Sequence, residues 1–163
     1  MSDTVPSGTA PVARATGIVD LDLAECHAVL VEERLCTMAV VDGDEPYAVP
    51  LFYGFDGARV FLGISEGRKT RVLDANPRVC LSVTQLGTGD AWRSVQIRGR
   101  VASVTDVAER ARGVQVLMAH NRRPERAAAA ANDSASGEPA KPRHSGGRIL
   151  VVEDAVITGR AKR

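Results

Sequence analysis

Ser65-Glu66-Gly67-Arg68-Lys69 stands between an apolar run that ends at Ile64 and a helical pattern over Glu66–Ala75. Asn76-Pro77 stops that helix, because the residue before a proline is pushed out of the helical region. Two adjacent cations therefore fall at the start of a predicted helix, where free N–H groups and the helix dipole attract an anion. Gly67 lets the backbone come close to such an anion. Paired basic residues at a helix start are usually solvated surface, so the neighbouring segments decide whether this is a phosphate site.

The segments around this stretch are short strands with few helices. A helical face over residues 21–35 carries a capping box formed by Asp22 and Glu25. A further helix, through residues 107–118, has Asp106 as its N-cap. Six strands that do not alternate regularly with helices predict a mainly β fold, an antiparallel barrel with flanking α-helices. The strand patterns cover residues 36–42, 47–55, 59–64, 78–83, 92–105 and 148–152, the last of which residues 155–159 could prolong.

Pro50 interrupts the second of these strands. Proline cannot donate to a ladder, so its position predicts an edge, a bulge or a place where the sheet opens toward something else.

The composition favours a single soluble domain. The chain has 163 residues, 44% of them hydrophobic and 25% charged, and its formal net charge is +1. This balance gives no global field toward nucleic acid or an acidic membrane, and no apolar run is long enough for a membrane span. Three cysteines without a pairing motif predict core residues in a reducing cytoplasm. Residues 1–16 are interpreted as a flexible tail, and residues 17–163 as the domain, with a low-complexity loop at about 122–147.

Four segments carry a family resemblance, which extends from Leu35 to about Gly159. In this order and spacing they resemble the pyridoxamine 5'-phosphate oxidase-like superfamily, the FMN-binding split barrels. Within it, the likeness is greatest to the small nitroimidazole-resistance-type flavin-nucleotide-binding proteins. The segments are Cys36-Thr37-Met38-Ala39-Val40-Val41-Asp42-Gly43, Pro46-Tyr47-Ala48-Val49-Pro50-Leu51, Ser65-Glu66-Gly67-Arg68-Lys69 with Asn76-Pro77-Arg78-Val79, and Arg93-Ser94-Val95-Gln96-Ile97-Arg98-Gly99-Arg100.

The resemblance implies a six-stranded antiparallel split β-barrel, with a flavin in a cleft between the two subunits of a homodimer. Arg68 and Lys69 match the pair that binds the FMN phosphate, and Ser65 ends the strand that lines the cofactor. A strand whose backbone runs beside the isoalloxazine ring is also implied, as are polar or aromatic groups near the flavin that can come from the partner. The implied cofactor-binding residues are Val49, Pro50, Leu51, Phe52, Ser65, Arg68, Lys69, Trp92, Arg93 and Ser94.

The resemblance leaves the reaction open. The C-terminal Arg and Trp pattern with which pyridoxamine phosphate oxidases grip their substrate is absent, and Leu62-Gly63 replaces a histidine often found in nitroimidazole-resistance members. No catalytic residue and no metal site is predicted. An FMN-dependent oxidoreductase acting on an unknown small molecule is the first interpretation. A non-catalytic flavin carrier or sensor is the second, and the same fold with the deazaflavin coenzyme F-420 or haem is the third.

Overall fold

The computed structural model describes residues 17–122 and 147–162. The predicted tail at 1–16 and nearly all of the predicted low-complexity loop lie outside the described residues. In chain order the elements are β1 (Ile18–Leu21), α1 (Leu23–Glu32), β2 (Leu35–Asp42), β3 (Glu45–Phe55), β4 (Val60–Ile64), α2 (Arg68–Ala75), β5 (Arg78–Leu86), β6 (Trp92–Ser103), α3 (Val107–His120) and β7 (Arg148–Lys162).

The strands form one antiparallel sheet in the order β1-β7-β4-β3-β2-β5-β6, and it closes because β6 also pairs with β7. One edge of β7 pairs with β6 along nearly its full length. Its other edge pairs first with β4 and then with β1, so β7 pairs with three strands in all. The mainly β, antiparallel split-barrel fold is therefore confirmed.

Two details of the sequence interpretation were wrong. The short strand β1 was not predicted, so the sheet has seven strands rather than six. Leu21 and Leu35 were placed on the first helix, but they belong to β1 and β2. The predicted prolongation of the last strand is confirmed, since β7 runs without a break from Arg148 to Lys162, through a positive φ of 50° at Asp154.

The helices pack on the barrel at different places. Cys26, Val29 and Leu30 of α1 and Val72 and Leu73 of α2 are buried in the main core, and the two helices lie toward opposite ends of β2. The predicted capping box is present, since the Glu25 N–H donates to Asp22 and the Asp22 N–H donates to Glu25. α3 covers a second, smaller cluster on the outside of the barrel that includes Phe61, Ile149 and Val151. No helix among the described residues is long and apolar enough to cross a membrane.

Candidate functional site

The turn into α2 is shaped by Gly67. Its φ of 150° is a conformation that side chains rarely adopt, so the helix begins at Arg68 rather than at Glu66, as had been predicted. Thr70 Oγ1 accepts from the Gly67 N–H at 3.1 Å and donates to the Gly67 carbonyl at 2.8 Å. In the described part of the chain, no side chain caps the N–H groups of the first turn of α2. An anion could therefore satisfy these donors.

Arg68 is held in place by an ion pair and an aromatic ring. Its Nε and Nη2 atoms lie 2.9 and 2.8 Å from the same oxygen of Asp42, and Glu45 follows at 3.9 Å. The guanidinium centre lies 4.4 Å from the centroid of the Tyr47 ring. A guanidinium carries five N–H donors, so the pair with Asp42 leaves its other edge available to an anion. The sequence analysis missed Asp42 as a partner of Arg68.

Lys69 and Arg148 complete the charge around the turn. Lys69 is half-buried, and no carboxylate of the described residues lies within ion-pair distance of it. Arg148, at the start of β7, bonds Asp74 at 2.5 Å and Glu66 at 2.9 Å. These hydrogen bonds, with that to Asp74 the stronger, raise the pKa of Arg148 above its usual value. They tie the start of β7 to Glu66, in the turn before α2, and to Asp74, near the end of that helix. The sequence pattern did not indicate this role of Arg148.

The first half of β3 has an open edge. β3 pairs with β2 from Glu45 to Phe52 but with β4 only through residues 53–55. Residues 45–52 therefore have no second strand among the described elements, and the prediction of an edge at Pro50 is confirmed. Pro50 and Phe52 are exposed, whereas Val49 and Leu51 pack against the main core.

This open edge and the α2 turn are neighbours. Tyr53 pairs with Leu62, so the same register continued by two residues brings Leu51 opposite Ile64, where the chain leaves the sheet for Ser65. The contact between Arg68 and Tyr47 shows that the start of α2 lies over the first half of β3. Seven of the ten predicted site residues are thus brought together at one edge of the barrel: Val49, Pro50, Leu51, Phe52, Ser65, Arg68 and Lys69.

The other three predicted residues lie elsewhere in the same chain. Trp92, Arg93 and Ser94 begin β6, and Arg93 bonds Glu32 of α1 at 3.2 Å. β5 and β2 separate β6 from β3, which is a distance of about 14 Å at a typical strand spacing. The β6 start is also level with the Leu35 end of β2, not with the Asp42 end. One chain alone does not assemble all ten residues.

An apolar surface lies beside the open edge. We define the β2–β3 outer face as the residues of these two strands that point away from the core, among which Phe52 is 62% exposed and Leu35 51%. The residues that pair across the two strands on this face also have small or apolar side chains, as in the pairs Ala39 with Ala48 and Val41 with Pro46. A contiguous apolar patch of this kind is typical of an interaction site. Its members are Leu35, Thr37, Ala39, Val41, Pro46, Ala48, Pro50 and Phe52.

The protonatable groups with the clearest pKa shifts are structural. Burial raises the pKa of Cys36 to about 12 and raises that of Tyr53. The Tyr53 hydroxyl donates to the Leu30 and Glu33 carbonyls, both at 2.9 Å. His120 lies 2.8 Å through Nε2 from the Glu33 carbonyl, and its burial lowers its pKa. Tyr53 and His120 join α1, β3 and α3, and the side chains of Cys36 and Tyr53 are buried in the main core.

Comparison with known proteins gives a family match and a fold match. A family model described as pyridoxamine 5'-phosphate oxidase matches residues 22–146. An uncharacterized protein of Rhizobium meliloti is 32% identical over 76 residues, which are 47% of this chain and half of that protein. The chain thus matches about half the length of this curated relative.

Two solved structures share the architecture. A FAD-binding protein from Mesorhizobium loti aligns with a TM-score of 0.67 and 23% identity, over 90% of this chain and 99% of its own. A candidate 5-nitroimidazole antibiotic resistance protein from Bacteroides thetaiotaomicron aligns with a TM-score of 0.64 and 20% identity, over 90% of this chain and 89% of its own. At these identities the likeness establishes the fold.

Proposed function

The chain belongs to the pyridoxamine 5'-phosphate oxidase family, and from this membership we propose that it binds a flavin nucleotide at the edge formed by β3 and the start of α2. The observation that carries the proposal is the juxtaposition of an open strand edge with an uncapped helix start bearing Arg68 and Lys69. A flavin nucleotide needs both features, since it has a planar ring with hydrogen-bonding edges and an anionic phosphate at the other end of its ribityl chain.

The phosphate would be held by the α2 turn. Gly67 gives the backbone its close approach, the N–H groups of the first turn are available, and Lys69 has no competing carboxylate among the described residues. Arg68 would contribute the edge of its guanidinium that Asp42 leaves available. Charge-assisted contacts of this kind are short and strong compared with neutral hydrogen bonds.

The ring would lie along the open edge of β3. The backbone groups of residues 49–52 that point away from β2 have no ladder partner among the described strands, and ring heteroatoms could bond them. Pro50 removes a donor at a position where a ladder bond is not required. A bound flavin supplies the redox chemistry. The chain binds and orients the ring and limits its contact with water.

We propose that the working unit is a homodimer joined through the β2–β3 outer face. This surface is apolar and flanks the open edge, so a second copy covering it would also cover the flavin. A second copy is also the source from which Trp92, Arg93 and Ser94 could reach the site, because within one chain they lie too far from Arg68. A symmetric contact in which each copy completes the other's site satisfies both observations.

The proposed activity is flavin-dependent oxidation or reduction of a small molecule. The second candidate is a flavin carrier or sensor without turnover. It is favoured by the location of the perturbed groups, since Cys36, Tyr53 and His120 are structural and no acid–base pair with shifted pKa values lies beside the open edge of the described chain. Turnover of a reduced nicotinamide donor with a series of small acceptors would distinguish the two candidates.

The visible spectrum of the purified protein tests the cofactor. Two bands in the blue and near-ultraviolet regions are expected, with their intensity recovered on adding FMN to protein purified without it. A single violet-shifted band would indicate the deazaflavin coenzyme F-420, and a sharp Soret band would indicate haem. A protein that stays colourless and leaves the fluorescence of added FMN unchanged would rule out the proposal.

A further inference from the structure

Three arginines form a cationic surface on the outer side of β5 and β6. Arg78 of β5 is directly opposite Arg100 of β6 in the ladder, and Arg98 lies two residues before Arg100 on the same face. All three are exposed and line an open groove of about 780 Å³, which we call the arginine groove and define by these residues. No carboxylate within residues 17–122 or 147–162 lies within ion-pair distance of any of them. Like charges directly across two strands destabilise the pair, so the groove attracts an anion.

The arginine groove continues the β2–β3 outer face. Ala39 of that face is directly opposite Cys80 of β5, and Cys80 is directly opposite Arg98. The same register continued by two residues brings Val41 level with Arg78. Ala39 and Val41 also line the groove itself. A second copy that covers the β2–β3 outer face therefore also lies over the arginines.

Covering the arginine groove requires a counter-charge. A charge that leaves water without a partner is strongly unfavourable. In a symmetric dimer the two surfaces are identical, so a protein counter-charge has to come from a carboxylate of this same surface. Asp44 meets this condition, because it is exposed at the turn between β2 and β3 and forms no ion pair within the described part of the chain. Its neighbours Asp42 and Glu45 already lie close to Arg68.

The position of Asp44 along the sheet matches that of the arginines. Val41 is level with Arg78, and Asp44, at the tip of the turn, lies roughly 3–7 Å further in the strand direction. A two-fold axis parallel to β2, between β2 and β5, keeps each level of the sheet opposite the same level of the partner. This axis also exchanges the β2–β3 side with the β5–β6 side. Asp44 of each copy then lies opposite the arginine groove of the other.

The same axis agrees with the proposed flavin site. The start of β6 is level with the Leu35 end of β2, and Leu35 pairs with Phe52 of β3. Exchange about the axis brings residues 92–94 of the partner toward the Phe52 end of β3, where the proposed flavin ring lies. One arrangement of two copies therefore accounts both for the three distant site residues and for the unpaired arginines.

We propose that Asp44 of each copy docks in the arginine groove of the other, so that two equivalent sets of ion pairs fix the orientation of the homodimer. The inference rests on the proposed homodimer and specifies its geometry. The apolar residues of the β2–β3 outer face supply contact area, and the ion pairs select one orientation, because charge complementarity gives specificity. Turning one copy end for end would cover the arginines without this counter-charge.

A charge swap between two variants tests the contact. Asp44→Arg puts a cation opposite the arginines, and the double variant Arg98→Glu with Arg100→Glu puts carboxylates opposite Asp44. Each dimer contains the contact twice, and reversing one charge should cost about 10-fold per contact, so each variant alone should raise the dimer Kd by at least about 100-fold. In a heterodimer of the two variants one contact is native and the other has its charges exchanged. Its Kd should return to within about 10-fold of the wild-type value.

Native mass spectrometry of the equimolar mixture, with one variant isotopically labelled, separates the heterodimer from the two homodimers. Sedimentation gives each Kd, and circular dichroism checks that each variant is folded. Arg112→Glu is the control and should keep the wild-type mass, because Arg112 is an exposed arginine of α3 that pairs with Asp56 on another surface.

Four outcomes would overturn the inference. If both variants keep the wild-type Kd, Asp44 does not face the arginines. If each variant is monomeric and the mixture forms no heterodimer, Asp44 and the arginine groove do not contact each other. If the arginine variant keeps the dimer and weakens FMN but not riboflavin, the counter-charge is the partner's flavin phosphate. A monomeric wild-type chain would overturn the proposed homodimer as well, whereas in the other three results the homodimer stands.

Discussion

Removing the two cations of the α2 turn should weaken FMN far more than riboflavin, which lacks the phosphate. Lys69 has no carboxylate partner among the described residues, so Lys69→Ala should cost about one charge-assisted contact, about 1.5 kcal/mol or about 10-fold in Kd. Arg68→Ala should cost more. It removes a contact and also exposes the phosphate to the negative charge of Asp42, which Arg68 otherwise pairs at 2.8 Å.

The repulsion between Asp42 and the phosphate adds to the loss of the Arg68 contact. A carboxylate and a dianionic phosphate separated by roughly 7 Å repel by about 1 kcal/mol in water, or about 5-fold in Kd. Arg68→Ala should therefore weaken FMN by about 50-fold, and adding Asp42→Asn should recover about 5-fold of that loss. Added salt should shrink this recovery, because Asp42 is partly exposed and ions screen the repulsion.

FMN fluorescence quenching at low ionic strength measures these affinities, with riboflavin as the ligand control. Arg112→Ala is the protein control, because Arg112 is an exposed arginine that pairs with Asp56. Riboflavin affinity should stay within about 2-fold of wild type in every variant, since its ring contacts are unchanged. The reasoning is refuted if Arg68→Ala weakens both ligands equally. It is equally refuted if Asp42→Asn gives no recovery in the Arg68→Ala background.

Three further predictions concern assembly and stability. Phe52→Arg places a charge in the β2–β3 outer face and should give a monomer by light scattering. The control Val107→Arg changes an apolar residue of α3 that is even more exposed, and it should keep the dimer mass. Tyr53→Phe leaves two backbone carbonyls without their buried donor and should lower the free energy of unfolding, measured in urea, by about 1–3 kcal/mol. An unchanged free energy of unfolding would mean that these hydrogen bonds do not stabilise the fold. Burial lowers the pKa of His120, so below about 6.5 the unfolded chain binds more protons than the folded one and stability falls as pH drops. His120→Gln should flatten this fall, and an unchanged slope would contradict it.

Local signals predicted the elements that depend on neighbouring residues. The capping box at Asp22 and Glu25 determines where α1 begins, and its two residues are only three positions apart. The strands predicted over residues 47–55 and 59–64 are joined by a local turn, in which the Asp56 carboxylate accepts from two backbone N–H groups and Gly57 takes a φ of 94°. The strand predicted over residues 92–105 is β6, and its Val95 and Ile97 are buried in the core.

Features that depend on distant parts of the chain could not be predicted from local sequence signals. β1 is four residues long and exists because it pairs with the far end of β7, about 140 residues later. Leu35 fits a helical face by spacing, but its pairing with Phe52 makes it the first residue of β2. Tertiary pairing overrides local propensity in both cases.

The candidate site divides along the same line. Its cations, Arg68 and Lys69, were predicted from a local motif and the order of neighbouring segments. The charged partners around them were not predicted, because Asp42 is 26 residues from Arg68 and Arg148 is 82 residues from Glu66. Such ion pairs leave no periodic trace in a sequence. The sequence therefore indicated where an anion could bind but not what competes with it.

The most direct test of the central claim is a calorimetric titration of the wild-type chain with FMN and, separately, with riboflavin. The account predicts one flavin site per chain and an FMN affinity at least about 10-fold above that of riboflavin, the contribution of the contacts to the phosphate. Absence of heat with FMN, or equal affinities for the two ligands, would contradict a phosphate-anchored flavin site at the start of α2.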